Sequence, residues 1–130
     1  MHTFKKEERL CSKKLLDKLF HNGSSFLVYP FRIVSLPEAL IVNFPAQVVI
    51  AVSKRKFKRA VDRNLIKRRV REAYRLNKAE FLYPFLTEKN LQMMISIHYV
   101  GKDIAEYQYV EKKLKKAFEK LTESYANQFT

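Results

Sequence analysis

The sequence predicts an α+β fold, and three observations lead to this prediction. Two apolar runs, residues 47–52 and 91–99, have the length and composition of buried strands. A long basic segment with an apolar side lies between them and predicts a helix, which makes a β-α-β unit. A helix and two strands before this unit, and an amphipathic helix after it, complete the order α-β-β-β-α-β-α. We therefore expect a two-layer sandwich of helices on a four-stranded sheet.

The first part of the chain predicts one helix and two strands. Ser12 can cap a helix that runs to about His21, because Gly23 just beyond it is a typical stop signal. This helix has two apolar pairs at i, i+4 spacing, and we expect one pair to enter the core while the other lines a groove. Residues 26–36 have the composition of extended chain, and Pro30 is expected to split them into two strands or to lie on a sheet edge.

The last part of the chain predicts a second amphipathic helix after Gly101. Its apolar residues recur at steps of three and four, at Val110, Leu114, Ala117, Phe118, Leu121 and Tyr125. A chain of 130 residues fits one domain with a single core. We therefore expect a single domain over residues 1–130, with flexible ends at residues 1–9 and 127–130.

The segment from Lys54 to Lys78 carries most of the net charge. It holds twelve Lys or Arg residues against two acids, Asp62 and Glu72, and so contributes +10 of the chain's +13. At about 100° per residue, one arc of the predicted helix is apolar and a separate arc is basic. The apolar arc has Ile66, Val70, Ala73 and Tyr74, and the basic arc has Asn64, Lys67, Arg68, Arg71, Arg75 and Lys78. A solvated charged face normally balances its cations with acids, so this pattern favours an ordered helix that binds nucleic acid.

The same segment resembles the signature of a known family, the bacterial ribonuclease P protein component. The similar residues are Val52-Ser53-Lys54-Arg55, then Arg59-Ala60, then Arg63-Asn64-Leu65-Ile66-Lys67-Arg68-Arg69, and Arg71-Glu72-Ala73-Tyr74-Arg75. The likeness extends to residues 10–23, 48–52 and 91–99. Two positions depart from the family pattern. Leu65 stands where the family has Arg, so no RNA contact is carried over to it, and Leu16 stands where the family often has Phe.

The resemblance also bears on the topology. It implies a left-handed β-α-β crossover, as in the second domain of a small-subunit ribosomal protein. General packing rules favour the right-handed form, and the sequence alone decides nothing about the hand. We follow the resemblance and expect the left-handed crossover.

The resemblance implies the protein subunit of an enzyme whose catalyst is a large RNA with bound Mg²⁺, which removes the 5′ leader from precursor tRNA. The expected partners are that catalytic RNA and the precursor tRNA, with no obligate protein partner. By matching positions, the expected RNA-binding residues are Lys54, Arg55, Arg59, Arg63, Asn64, Lys67, Arg68, Arg71 and Arg75. The expected leader cleft lies between the first helix and the sheet, near Leu16, Phe20, Arg32, Val34 and Ser53.

The sequence predicts no catalytic or metal site in the protein itself. Its three histidines, His2, His21 and His98, are scattered, and no spacing of Cys, His, Asp or Glu is typical of a zinc site. The acids form no recognisable nuclease cluster, and the two glycines provide no phosphate-binding loop. The resemblance implies that Mg²⁺ is bound mainly by the RNA subunit.

The remaining composition favours a cytoplasmic protein. The one cysteine, Cys11, cannot form an internal disulfide and is compatible with a reducing cytosol. No apolar run approaches the roughly 20 residues of a membrane span, and residues 1–9 lack the apolar region of a signal peptide. We expect no membrane association.

Two other classes of protein stay open at this point. A non-catalytic RNA-binding scaffold, such as a ribosomal protein or an RNA chaperone, could share the charge and the fold. The order Arg-Asn-x-Ile-Lys-Arg at residues 63–68 argues against it, because an ordinary basic patch need not reproduce that order. A DNA-binding helix-turn-helix protein would place the basic helix in a major groove. Here the helix lies between two predicted strands and offers mainly phosphate-seeking charge.

Overall fold

A computed structural model describes residues 3–126 of the chain. The elements are a 3₁₀ helix at Lys6–Glu8, α1 (Lys13–Asn22), β1 (Ser24–Val28), β2 (Phe31–Pro37), β3 (Ala46–Val52), α2 (Ala60–Phe81), α3 (Tyr83–Glu88), β4 (Met93–Tyr99) and α4 (Tyr107–Ala126). The predicted order of helices and strands is confirmed, and the structure adds the 3₁₀ helix and the short α3. The predicted flexible end at 127–130 lies outside the described residues.

The four strands form one sheet in the order β1-β2-β4-β3. β2 is antiparallel to both β1 and β4, whereas β3 and β4 are parallel. The parallel pair is joined through α2 and α3, so the predicted β-α-β unit is present, while its handedness stays a prediction. Pro30 lies in the turn between β1 and β2, where it separates two strands as expected.

The main core lies between one face of the sheet and helices α2 and α4. The predicted apolar arc of α2 is fully buried, since Ile66, Val70, Ala73 and Tyr74 are each at most 1% exposed. The predicted apolar residues of α4 are buried in the same cluster: Val110, Leu114, Ala117, Phe118, Leu121 and Tyr125. Both helices are therefore held by the stripes that their sequence periodicity predicts.

The opposite face of the sheet packs against α1. Ser12 caps this helix as predicted, because its hydroxyl accepts a hydrogen bond from the backbone N–H of Leu15 at 3.3 Å. Leu19 is fully buried with Met94 of β4, whereas Phe20 beside it is 56% exposed. α1 thus covers part of the second face and adds a third layer to the two that the sequence predicted.

The N-terminal segment is anchored to the far end of α2. Glu8 and Lys78 are both buried and form an ion pair, and the Tyr83 hydroxyl donates to the same Glu8 carboxylate at 2.5 Å. The rings of Phe4, Tyr74 and Tyr83 surround the Lys78 ammonium, with centroids 5.4–5.7 Å from its nitrogen. Cation–π attraction is strongest in such a desolvated setting, so these contacts fix the segment against the domain.

Two expectations are affected by these contacts. Residues 1–9 are predicted to be a flexible end, but Glu8 among them is buried. The prediction that Lys78 belongs to an accessible basic face is wrong, because aromatic rings and a carboxylate enclose its ammonium and the residue is only 3% exposed.

The residues that follow Glu8 extend the sheet beside β3. Arg9 forms a β-bridge with Val48, and the Leu10 N–H donates to the Val48 carbonyl at 2.9 Å. The outer edge of β3 is therefore partly covered.

Candidate RNA interface

The connection from β3 to α2 carries the first group of cations. The Ser53 hydroxyl accepts hydrogen bonds from the backbone N–H groups of Arg55 at 3.2 Å and Lys56 at 3.4 Å, which fixes the turn after the strand. The Lys56 ammonium donates to the Val100 carbonyl at 2.6 Å and ties the turn to the end of β4. Three predicted RNA-binding residues are exposed on this connection: Lys54, Arg55 and Arg59.

Arg63 holds this connection in place. Its Nη1 donates to the carbonyl oxygens of Phe57 at 2.8 Å and Lys58 at 2.9 Å. The Phe57 ring is buried, and its centroid lies 6.1 Å from that of Tyr99 in the main core. The guanidinium of this predicted RNA-binding residue therefore has two partners within the protein, and it positions the backbone that displays the neighbouring cations.

One side of α2 carries the second group. The predicted RNA-binding residues Asn64, Arg68 and Arg71 are exposed there, and Lys67 and Arg75 are partly buried. Glu72 pairs with Arg75 three residues further along the helix, with a distance of 3.3 Å from Nε to Oε2. We call the two groups together the basic surface: Lys54, Arg55, Arg59, Asn64, Lys67, Arg68, Arg71 and Arg75.

Carboxylates neutralise little of the basic surface. Across residues 3–126 there are three ion pairs, and the one at Arg75 is the only one that reaches this surface. Asp62 lies in the first turn of α2, where a negative charge is favoured by the helix dipole. Cations of one sign at this density repel one another, so a bound polyanion would lower the free energy of this surface.

A groove of about 410 Å³ lies between the end of α1 and the sheet. Its lining residues are Phe20, Gly23, Ser25, Arg32, Val34, Ala51 and His98. Three of the five residues predicted for a leader cleft, Phe20, Arg32 and Val34, therefore lie together. The volume is in the range of pockets that bury a small ligand, and an exposed aromatic ring with a cation nearby suits an unpaired base and its phosphate.

Gly23 sets the wall of the groove. A Cβ atom at this position would lie 2.5 Å from the carbonyl oxygen of Leu19 and 2.9 Å from a methyl carbon of Val34. The end of α1 can approach β2 this closely because residue 23 has no side chain. The separation between Phe20 on the helix and the strands is fixed by this approach.

The other two predicted cleft residues do not line the groove. Leu16 is partly buried and packs against the cluster of Leu10, Leu19 and Met94. Ser53 follows the end of β3, where its hydroxyl holds the turn described above. Neither the packing of Leu16 nor the turn at Ser53 can be read from the sequence alone.

His98 also lines the groove, although it is not among the site residues predicted from the sequence. In β4, Ile95 and Ile97 belong to the main core, whereas Met94 and His98 point to the face of α1. Strand alternation could have identified this position, because residues 94, 96 and 98 share one face. Burial, then the charges of Arg32 and Lys56, lowers the pKa of His98 below its ordinary value. These surroundings favour the neutral form of the imidazole.

A second groove, of about 740 Å³, lies at the opposite end of the sheet from the basic surface. It is lined by Pro37, Glu38, Ala39, Asn43, Phe44, Pro45, Leu86, Thr87, Asn90, Leu91 and Gln92. The Gln92 amide holds the loop between β2 and β3, accepting from the Leu40 N–H at 2.8 Å and donating to the carbonyls of Val42 and Phe44. Nothing predicted from the sequence as a functional residue lies in it.

The described part of the chain offers no metal site. Among residues 3–126, no group of three or more His, Cys, Asp or Glu side chains could hold a metal ion. Cys11 is exposed. Within the same residues, no helix combines the length and apolarity needed to cross a membrane.

Solved structures resemble this one over most of its length. The RNase P protein of Staphylococcus aureus has a TM-score of 0.66 at 18% sequence identity, covering 95% of this chain and 98% of that chain. The RNase P protein from Thermotoga maritima has a TM-score of 0.69 at 21% identity, covering 87% of this chain and 96% of that chain. At these identities the likeness establishes the fold.

Sequence comparisons identify the family. The Ribonuclease P protein component of Porphyromonas gingivalis strain ATCC 33277 is 35% identical over 112 residues, which cover 86% of this chain and 81% of that protein. The one from Petrotoga mobilis is 43% identical over 79 residues, which cover 61% of this chain and 64% of that protein. The family model described as Ribonuclease P matches residues 4–122. The chain therefore belongs to the ribonuclease P protein component family.

Proposed function

We propose that this chain is the protein subunit of a bacterial ribonuclease P and works in the cytoplasm with a catalytic RNA. The basic surface binds that RNA, the groove beside α1 holds the 5′ leader of precursor tRNA, and together they assist Mg²⁺-dependent removal of the leader. The observation that carries the proposal is the basic surface itself, an ordered helix and turn that concentrates cations on one side of the domain, with one carboxylate ion pair, Glu72 with Arg75, reaching it within residues 3–126.

The basic surface supplies affinity for RNA through phosphate contacts. Arg and Lys side chains bind phosphate oxygens and release condensed counterions, so affinity falls as salt rises. Asn64 is exposed among these cations and can orient a phosphate or an RNA-bound water. This surface reads charge and shape rather than base sequence, which suits binding to one large folded RNA.

The groove supplies a place for a single strand. The Phe20 ring is exposed at its wall, and Arg32 contributes a positive charge from β2. Stacking on an aromatic ring and contact with a cation is the usual mode for binding an unpaired strand without sequence preference. A leader of varied sequence can be held in this way.

The proposal assigns the cleavage chemistry to the RNA. Metal-assisted phosphodiester cleavage needs several convergent ligands, and the side chains of residues 3–126 do not provide such a set. We propose that the RNA subunit binds the Mg²⁺ ions. The protein acts by lowering the electrostatic cost of bringing leader and RNA together.

Reconstitution tests the proposal. The purified protein is mixed with a bacterial ribonuclease P RNA and precursor tRNA at a Mg²⁺ concentration too low for the RNA alone to cleave. We expect cleavage at the mature 5′ end only when both subunits are present, and no cleavage by the protein alone. Metal-dependent cleavage by protein rigorously freed of RNA would overturn the assignment of the chemistry.

A further inference from the structure

His98 lies at the centre of a cationic part of the groove. In the sheet register it is paired with Arg32 on β2 and with Ala51 on β3. Directly paired residues have Cβ atoms about 4.5–5.5 Å apart, so the imidazole and the guanidinium of Arg32 are neighbours. The third charge is Lys56, which is fixed near the end of β4 by its hydrogen bond to Val100.

No acid balances these charges inside the groove. Besides His98 and Arg32, the lining contributes Phe20 and Gly23 from the end of α1, Ser25 from β1, Val34 from β2 and Ala51 from β3. Within residues 3–126 no carboxylate forms an ion pair with Arg32 or Lys56. The imidazole therefore meets two positive charges and no negative one, which is the arrangement that favours its neutral form.

We propose that a leader phosphate enters the groove beside Arg32 and His98, and that His98 gains a proton when it does. This inference rests on the proposed function, since it takes the occupant of the groove to be the leader strand. It adds a residue that neither the sequence motif nor the basic surface contains. It also makes leader binding dependent on pH in a range where ordinary RNA-binding cations do not titrate.

The sign of the pH dependence follows from the charges. In the free protein, burial and the two cations hold the pKa of His98 below its ordinary value. A phosphate brings negative charge to the same place and raises the pKa in the complex. Binding therefore takes up a proton, and affinity for the leader rises as pH falls. The change is at most about tenfold per pH unit, between the pKa of the free protein and that of the complex.

The test compares precursor tRNA with mature tRNA, because the two share every contact except those of the leader. Dissociation constants are measured for the reconstituted holoenzyme from about pH 5.5 to about pH 8, which spans the range in which histidines titrate. The precursor carries a cleavage-resistant linkage at the scissile position. We expect the preference for precursor over mature tRNA to grow several-fold toward low pH in the wild type.

Two variants make the comparison specific. His98→Gln keeps a polar side chain that cannot titrate, so its preference for precursor tRNA should not change with pH. His21→Gln is the matched control, since His21 is exposed on α1 and its Nδ1 lies 2.7 Å from the Asp17 carbonyl oxygen. This control should keep the wild-type pH dependence. Thermal unfolding of both variants checks that they are folded.

The outcomes separate this inference from the proposed function. If wild-type holoenzyme binds precursor and mature tRNA equally at every pH, the leader does not use this protein, and both proposals fail. A leader preference with the same pH dependence in wild type and His98→Gln overturns the inference alone. Should His98→Gln not fold, calorimetry of the wild-type holoenzyme in two buffers of different ionisation enthalpy counts the protons directly. Equal uptake with precursor and mature tRNA then overturns the inference.

Discussion

Arg63 and Arg68 belong to the same helix and the same motif, but their guanidinium groups have different surroundings. Arg63 donates to two backbone carbonyls of the connection that precedes α2. Arg68 is exposed on the basic surface. Hydrogen bonds from a charged group to buried or partly buried carbonyls stabilise the fold, whereas an exposed cation is available to a phosphate. Within one motif, Arg63 therefore positions the backbone of the connection before α2, whereas Arg68 is available to bind a phosphate.

The first prediction separates these two roles. Arg68→Ala should weaken binding to the RNA subunit and reduce the slope of log affinity against log salt by about 0.9, the value for one lost phosphate contact. Its melting temperature should stay unchanged. Arg63→Ala should lower the free energy of unfolding by roughly 1–3 kcal/mol, because two carbonyls lose a charged donor. Filter binding across a salt series and thermal unfolding measure both. An unchanged slope in Arg68→Ala would place the RNA elsewhere.

A second prediction concerns Phe20. Because its ring is 56% exposed, Phe20→Ala should cost little stability, unlike the loss of a core Phe. A stacked base contributes roughly 1–3 kcal/mol, so the variant holoenzyme should bind precursor tRNA more weakly by that amount and mature tRNA as before. Ile41→Ala is the matched control, since Ile41 is fully exposed on the loop between β2 and β3. Equal losses for both tRNAs would exclude stacking on the leader.

At the scale of elements, α1 and β2 form the groove by their close approach. Gly23 permits this approach because it has no side chain, and the burial of Leu19 against the sheet stabilises the position of α1. Leu19 and Phe20 are adjacent in sequence but point to the core and to the groove, so the position of one determines the position of the other. The groove is therefore sensitive to changes that shift the helix.

The third prediction follows from this packing. Gly23→Ala places a methyl group against the Leu19 carbonyl and the Val34 side chain, so α1 must move away from β2. Overpacking of this kind costs roughly 1–3 kcal/mol, and leader binding should fall along with the melting temperature. Asn22→Ala, at the exposed last residue of the same helix, should change neither. If Gly23→Ala binds precursor tRNA like the wild type, the groove does not hold the leader.

The sequence could predict the elements that have long periodic patterns. α2 and α4 repeat their apolar residues over several turns, and the signals at Ser12 and Gly23 bounded α1 correctly. α3 was missed because its six residues are too few to show a period, and it forms where Leu82 and Leu86 reach the core. The contact between Glu8 and Lys78 joins residues that are 70 positions apart. A contact between residues so far apart in the chain cannot be predicted from the local sequence pattern.

For the candidate site, the sequence predicts the cations of the motif but only part of the groove. The cations of the motif could be identified because charge density and helical spacing are properties of one segment. The groove is built from α1, all four strands and the turn at Gly23, so its members depend on register and on helix position. His98 illustrates this limit, since it becomes part of a site only when Arg32 and Ala51 are placed beside it.

At the scale of the whole molecule, the buried pair of Glu8 and Lys78 ties the beginning of the chain to α2 and α3. Burial by itself raises the pKa of Glu8. The hydrogen bonds from Lys78, Tyr83 and the Lys5 N–H, together with the Lys78 charge, outweigh that effect, so the pKa lies below its ordinary value. A carboxyl group of this kind stabilises the fold above its unfolded pKa, and the contribution disappears as pH falls through the folded pKa.

The fourth prediction uses this pair. Glu8→Gln leaves the Lys78 ammonium buried without a charged partner, which should cost roughly 3–5 kcal/mol of unfolding free energy at neutral pH. The wild type should lose that advantage as pH falls below about 4.3, the unfolded pKa of Glu, so the two melting curves should converge in acid. Glu7→Gln, at an exposed neighbour, controls for the general effect of removing a charge. A constant difference between wild type and Glu8→Gln at every pH would contradict the prediction.

The strand order has a consequence for how the protein is made. β4 is the last strand in the sequence but lies between β2 and β3 in the sheet. When the ribosome has synthesised only the first three strands, the nascent chain still lacks the strand that pairs with both β2 and β3. Until then β2 and β3 each present an unpaired edge, the feature that makes incomplete chains prone to aggregation. The four-stranded sheet can form in full only after Met93–Tyr99 has left the ribosome.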